Sequence, residues 1–301
     1  MMPLTFKVLG SMRFTDQAPR IVAGLESLDA IAAPQNPDLI YSNDSGGYDE
    51  AIALKKATPS AKLILNVLDI CEPCMPNVDM MKLYGQLSQA DAVTVISPYV
   101  QSQLHRYFGL ASYVIWNPIK DVTPAKRLSG VKPYPQFKAM MVGRLSDSGK
   151  RAALGIQGLI HAGFNEHEVA MVGSEFPSWG TRMGVITDDA LNDLYNSVDY
   201  VVFPSLFEGL GLPLAESLVC GAVPVFCHDL STLPDFNLPR SWACYPSVYS
   251  IASRLKSLQA NPEYREKERE LALQIGEGIV EKLSGKAVAQ NIVNVYRKLS
   301  E

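Results

Sequence analysis

The sequence predicts an α/β protein of two consecutive lobes, each a parallel sheet with crossover helices. Three observations predict it. Short apolar, β-branched runs alternate with longer amphipathic stretches through both halves of the chain, the pattern of strand–helix–strand units. A proline-rich segment, Asn117 to Gln136 ("NPIKDVTPAKRLSGVKPYPQ"), interrupts that alternation, and the alternation then restarts. The length, 301 residues, suits two domains of roughly 150 residues each.

In the first half the runs Phe6–Ser11, Asp38–Ser42, Lys62–Val67, Ala92–Ser97 and Tyr113–Asn117 read as strands. Ala18–Leu28, Tyr48–Ala57, Met80–Gln89 and Pro98–Gly109 carry apolar residues at helical spacing. The last of these places proline early and glycine at its end, where each is tolerated best. The segment Asn117–Gln136 reads as a linker with few helix-compatible positions. Beyond it, Lys138–Gly143, Glu168–Gly173, Tyr200–Ser205 and Val223–His228 read as strands. Helices are expected from about Lys150 to Gly163, over Ile186–Ser197, over Pro213–Gly221, and through the tail from Ser250, which ends in the amphipathic Ala287–Leu299. The expected division is residues 1–120, residues 121–285, and a final helix 286–301 that packs back toward the first domain.

Composition excludes several classes. The chain is 47% hydrophobic and 19% charged, with a formal net charge of −4 and a mean hydropathy of +0.04. No overall basic surplus draws it to nucleic acid or anionic lipid. No apolar run approaches the ~20 residues of a membrane span, and the N-terminus lacks the pattern of a secretory signal. The five cysteines, an odd number mostly in apolar segments, point to reduced thiols and a cytoplasmic setting. Cys71 and Cys74 form a lone C-x-x-C without the second ligand pair a zinc site needs.

The segment Asp199–Phe226 carries the chemistry. A buried strand leads into "FEGLGLPLAE" (Phe207–Glu216), with Pro213 at the start of a helix and Gly221 just past its end. Gly209 and Gly211 let the backbone approach a ligand, and the helix start offers free N–H groups to an anion. Phosphate is the natural guest. A carboxylate repels phosphate, so Glu208 and Glu216 fit hydroxyls instead, since a carboxylate accepts two or more hydrogen bonds from a diol. A diphosphate between two diol-bearing sugars, a nucleotide sugar, satisfies the layout; a structural turn with two surface glutamates is the plainer alternative. Upstream, "VGRLSDSGK" places Arg144 after a strand and Lys150 at a helix start, two cations suited to a leaving diphosphate.

These residues carry a resemblance. "FEGLGLPLAE" resembles the E-x7-E motif of the retaining GT-B glycosyltransferases, particularly glycosyltransferase family 4. "VGRLSDSGK" is similar to that family's G-R-L-x-x-x-K-G segment, with Arg151 in place of the final glycine. Residues 183–205, "ADAVTVISPYVQSQL", "VIWNPI" and "VYRKL" are similar to further parts of the family, so the match runs from about Leu63 to the C-terminus. The resemblance implies the GT-B fold, two Rossmann-like domains facing each other across a cleft, acceptor side first and nucleotide-sugar side second. It implies that Glu208 contacts hydroxyls of the transferred sugar and Glu216 the ribose diol. Arg144, Lys150 and the amides of Leu210, Gly211 and Leu212 would hold the diphosphate.

The implied reaction is retaining transfer from a nucleoside-diphosphate sugar to an acceptor hydroxyl. It requires no cofactor or metal, in keeping with the lack of any D-x-D in the chain. The first half departs from the family. The usual Gly-Gly loop is "LGSMRFTDQAP" here, and Leu68 precedes Asp69 where many members have histidine. Arg13, Ser42, Asn43 and Asp69 are the candidates for the acceptor side, whose partner is a glycan, a lipid, a small molecule or modified nucleic acid. Three other functions fit the same residues: a non-catalytic sugar-nucleotide-binding protein, a sugar-nucleotide epimerase, and a transferase acting on hydroxylated nucleic-acid bases. A dehydrogenase does not fit, because Leu214 stands where the dinucleotide fingerprint needs its third glycine. His228 follows the strand from Val223, where a lone histidine is more often structural, and Asp235 in "STLPDF" resembles an acidic position the family often has after that strand, with its role open.

Overall fold

The computed structural model describes residues 3–10, 17–70, 79–175, 178–232 and 236–301. It divides into two compact units, one of Met1–Pro118 with Glu281–Glu301, the other of Ile119–Val280. Each is a Rossmann-like α/β unit on a six-stranded sheet whose strands are parallel.

The first unit runs β1 (Thr5–Leu9), α1 (Gln17–Glu26), β2 (Ile31–Ala32), β3 (Leu39–Ser42), α2 (Tyr48–Ala57), β4 (Lys62–Val67), α3 (Met80–Leu87), β5 (Ala92–Val95), α4 (Pro98–Phe108) and β6 (Tyr113–Val114). The strand order is β2-β1-β3-β4-β5-β6, with Phe6 opposite Leu39 and Ile64 opposite Ala92. β3, β4 and β5 are almost wholly buried, which is why their sequences read as continuous apolar runs rather than alternating ones. Helix boundaries follow side-chain chemistry. Ser97 Oγ accepts the Val100 N–H at the start of α4, and Gly109 ends the helix in the left-handed region.

The second unit contains α5 (Ala125–Leu128), β7 (Ala139–Arg144), α6 (Ala152–His161), β8 (Val169–Ser174), β9 (Thr181–Gly184), α7 (Asp188–Ser197), β10 (Tyr200–Phe203), α8 (Leu212–Val219), β11 (Val223–Cys227), β12 (Ala243–Cys244), α9 (Val248–Ala260) and most of α10 (Pro262–Leu283). Its order is β12-β11-β10-β7-β8-β9. The core joins Met141, Val202 and Val225 of the sheet to Ile156 and Leu159 of α6 and Ile251 and Leu255 of α9. Each such fully buried aliphatic side chain contributes about 1.5–3 kcal/mol.

The chain ends in α11 (Gly285–Ser300), which belongs to the first unit. Its Val288, Ala289, Ile292 and Val293 share a core with Ile21 and Leu25 of α1, Phe6 of β1 and Leu39 of β3.

Two features differ from the sequence reading. Three edge strands, β2, β9 and β12, were not expected. The proline-rich linker also holds a turn of helix, α5, anchored by Arg127. The Arg127 guanidinium donates to three carbonyls: Nε to Cys220 at 2.6 Å, and Nη2 to Tyr195 and Val198 at 2.5 Å each. Burial, and then the charge of Arg269, bring its pKa down to about 10. This arginine binds α5 to the C-terminal ends of α7 and α8, so the segment is part of the unit it precedes.

Candidate active site

Because β11, β10 and β7 are neighbours in one parallel sheet, their carboxyl ends deliver three loops to the same edge. These are residues 145–151, 204–211 and 228–232. In such sheets the carboxyl edge is where ligands bind.

The first two loops meet at Lys150 and Glu208. Lys150 Nζ lies 2.6 Å from Glu208 Oε1, and the two side chains are 18% and 9% exposed. The ammonium also lies 6.0 Å from the centroid of the Phe203 ring, at the end of β10. This is a shielded, charge-assisted contact rather than a surface pair. Arg144, the last residue of β7, is more than half exposed and pairs with Asp147 at 3.3 Å. Asp147 also caps the short 3-10 turn Ser148–Lys150, accepting the Gly149 N–H at 2.9 Å. The structure thus brings Lys150 onto Glu208 and ties Arg144 to the turn that carries Lys150.

The 204–211 loop ends at Gly211, with φ 79° and ψ 46°, where α8 begins. A non-glycine residue there would be strained by roughly 1–2 kcal/mol. Leu212 and Pro213 open the helix, while Leu210 is buried. Three residues before the end of α8, Glu216 is buried to 2% exposure, and its Oε2 accepts the Tyr195 hydroxyl of α7 at 2.9 Å. Burial, reinforced by the Glu216 charge and hydrogen bond, holds the Tyr195 pKa well above its usual value. The shift favours the protonated hydroxyl, the form that donates to Glu216. Its sequence position reads as core packing; the structure adds the hydroxyl contact to Glu216.

Of the third loop, the sequence reading marks only His228. Ser231 Oγ accepts the Glu208 N–H at 2.9 Å and donates to the Glu208 carbonyl at 3.0 Å. Thr232 is fully buried, and a methyl added at Gly211 would come within 3.3 Å of its Oγ1. Arg151 adopts φ 49° and ψ 39° and forms a two-pronged ion pair with Asp229, Nη1 to Oδ1 at 3.0 Å and Nη2 to Oδ2 at 2.8 Å. No motif marks Ser231, Thr232 or Asp229; only the departure at Arg151 was legible. His228 stacks edge-on against Tyr245 with ring centroids 4.8 Å apart.

In the first unit, Ser42 ends β3, Asn43 follows it, and Asp69 follows β4. Ser42 is fully buried and its Oγ donates to the Asp44 carbonyl at 3.0 Å, closing the turn after β3. The Asn43 carbonyl accepts from Asn66 Nδ2 at 3.1 Å, and Asn66 Oδ1 accepts from Thr94 at 2.9 Å. Asn43 Oδ1 is buried without a hydrogen-bond partner among the described residues. Asp69 is partly buried two residues past β4. Arg13, Asp235, Cys71 and Cys74 lie outside the described residues. Among the described residues, no three His, Cys, Asp or Glu side chains gather as a metal site would require.

Residues 183–274, all within the second unit, match the family model "Glycosyl transferases group 1". The O-antigen chain mannosyltransferase B of Escherichia coli is 31% identical over 123 residues, 40% of this chain and 31% of that protein. The serotype-specific mannosyltransferase WbdA of Escherichia coli is 46% identical over 52 residues, 17% of this chain and 6% of that one. The chain thus spans less than a third of the length of the curated relatives it matches. Among solved structures, Anabaena Alr3699/HepE in complex with UDP and glucose superimposes with a TM-score of 0.70 at 13% identity, covering 98% of this chain and 100% of that one. A glycosyltransferase from Rickettsia africae gives 0.72 at 13% identity, over 99% of each chain. The expected GT-B fold, two Rossmann-like units, is borne out.

Proposed function

We propose that this chain, a GT-B protein with a glycosyl transferases group 1 segment in its second unit, transfers a sugar with retention from a nucleoside-diphosphate sugar to an acceptor hydroxyl. The observation that carries the reading is the Lys150–Glu208 contact at the carboxyl edge of β7 and β10. It puts a cation suited to a diphosphate and a carboxylate suited to sugar hydroxyls within one bond of each other. The diphosphate lies against Lys150, Arg144 and the amides of Leu210, Gly211 and Leu212. Sugar hydroxyls donate to Glu208, and the ribose diol to Glu216, which Tyr195 holds in place.

The acceptor oxygen forms a bond to the anomeric carbon on the face from which the diphosphate leaves. The bond from that carbon to the phosphate oxygen breaks, and the acceptor proton passes to the departing phosphate. Negative charge grows on the diphosphate through this step, and Lys150 and Arg144 stabilise it there without a metal. No side-chain nucleophile takes part. Asn43 and Asp69 serve the acceptor, and Ser42 closes the turn that carries Asn43.

Both Escherichia coli relatives are mannosyltransferases by name, so a nucleoside-diphosphate mannose is the first donor to offer, with UDP-glucose beside it because Alr3699/HepE has been solved with UDP and glucose. The test is release of nucleoside diphosphate from such donors, with and without an acceptor. Tight binding with no turnover, even to water, would replace the transferase by a binding protein.

A further inference from the structure

The three loops at the carboxyl edge of the second unit are laced into a closed circuit. The Leu206 N–H donates to the Gly149 carbonyl at 2.8 Å, joining the 204–211 loop to the first loop. The Ser231 N–H donates to the Leu206 carbonyl at 3.1 Å, and Ser231 Oγ brackets Glu208 through its N–H and carbonyl, joining that loop to the third. Arg151 and Asp229 then join the third loop back to the first. Lys150 and Glu208 lie inside this circuit. Lys150 immediately precedes Arg151, and Asp229 stands two residues before Ser231.

The closing link is costly to keep at this position. Arg151 holds a left-handed backbone that glycine adopts without strain. Its planar fork nevertheless meets both oxygens of Asp229, with side chains only 21% and 29% exposed, a geometry that fixes orientation as well as distance. From the circuit we infer that Arg151 and Asp229 are a positioning pair for the transfer reaction. Their bond fixes the turn carrying Lys150 relative to the loop carrying Glu208, so that the ammonium reaches the leaving diphosphate. The pair acts through Lys150 and touches no substrate. The inference rests on the transferase reading above.

Arg151→Gly, which keeps the backbone and removes the fork, Asp229→Asn, which keeps the shape and removes the charge, and the double variant test it in the full chain. Three quantities are read: kcat on the sugar nucleotide that wild type turns over best, the Kd for UDP by calorimetry, and amide exchange in peptides covering residues 204–211. A positioning pair predicts a fall in kcat of about tenfold or more in each single variant, since small displacements of a catalytic group are that expensive. The Kd for UDP stays within about threefold, and the double variant is no worse than the worse single, as for two halves of one bond. The Leu206 and Glu208 amides exchange faster in all three. Unchanged kcat or unchanged exchange in both single variants overturns the inference, as do losses that multiply in the double. If wild type turns over no donor, the transferase reading fails on its own, and the exchange arm still decides whether the pair ties the loops.

Discussion

Lys150 and Glu208 lie 58 positions apart in the chain and 2.6 Å apart in the fold. Each was readable as a chemical type at a helix start or a strand end, because cations and glycines beside apolar runs carry their own signal. Their mutual contact was not, since it depends on which strands neighbour each other. Tyr195 makes the same point. An apolar-faced helical tyrosine reads as packing, and its hydroxyl acquires a role only when α7 and α8 are placed side by side. Tyr195→Phe removes the Glu216 partner from a buried carboxylate. It is expected to lower stability by about 1–3 kcal/mol, seen as a reduced midpoint in urea, and to weaken UDP binding in the same variant. An unaltered midpoint with unaltered binding would show that the bond to Glu216 carries nothing.

At the scale of elements, strands buried on both faces were legible because they are short apolar runs between turns. β2, β9 and β12 were not. They are two to four residues long, and β2 and β9 carry exposed or half-exposed side chains, so neither hydrophobic run nor alternation marks them. Partner strands alone define them. α5 was hidden by the prolines around it, and Arg127 supplies the tertiary anchor that a helix of four residues lacks by itself. The turn after β3 shows how closely elements constrain each other. A methyl at Gly47 would come within 2.5 Å of Ser42 Oγ and 2.8 Å of the Gly10 backbone nitrogen. Backbone cannot give way as a flexible side chain can, so Gly47→Ala should cost about 1–3 kcal/mol of stability. The measurement is the denaturation midpoint of the first unit. A midpoint equal to wild type would mean that the turn after β3 tolerates a shift.

At the scale of the molecule, the repeated α/β pattern made a two-unit protein legible. The return of the last helix is a long-range packing fact. α11 is amphipathic, and its buried stripe completes the core between α1 and β1. Ile292 is fully buried there, and Ile292→Ala should lower stability by about 2–5 kcal/mol. The loss belongs to the first unit. Amide protection in β1, β3 and β4 should fall while that in β7 and β10 holds. An equal loss in both units would contradict the assignment of α11 to the first core. The first unit is also where the acceptor candidates lie, and its chemistry was the least legible: Ser42 is spent on a turn, and Arg13 falls outside the described residues. The second unit holds the family match and the Lys150–Glu208 contact.

The proposed transfer turns on Lys150 neutralising a departing nucleoside diphosphate. The measurement that meets it most directly is release of nucleoside diphosphate from nucleoside-diphosphate mannose and UDP-glucose by wild type and by Lys150→Ala, side by side. Wild type should release the nucleotide, and the variant should be slower by roughly 3 kcal/mol, about a hundredfold, by comparison with loss of one oxyanion-stabilising group. No release by wild type from any sugar nucleotide, or equal release by the two proteins, would contradict it.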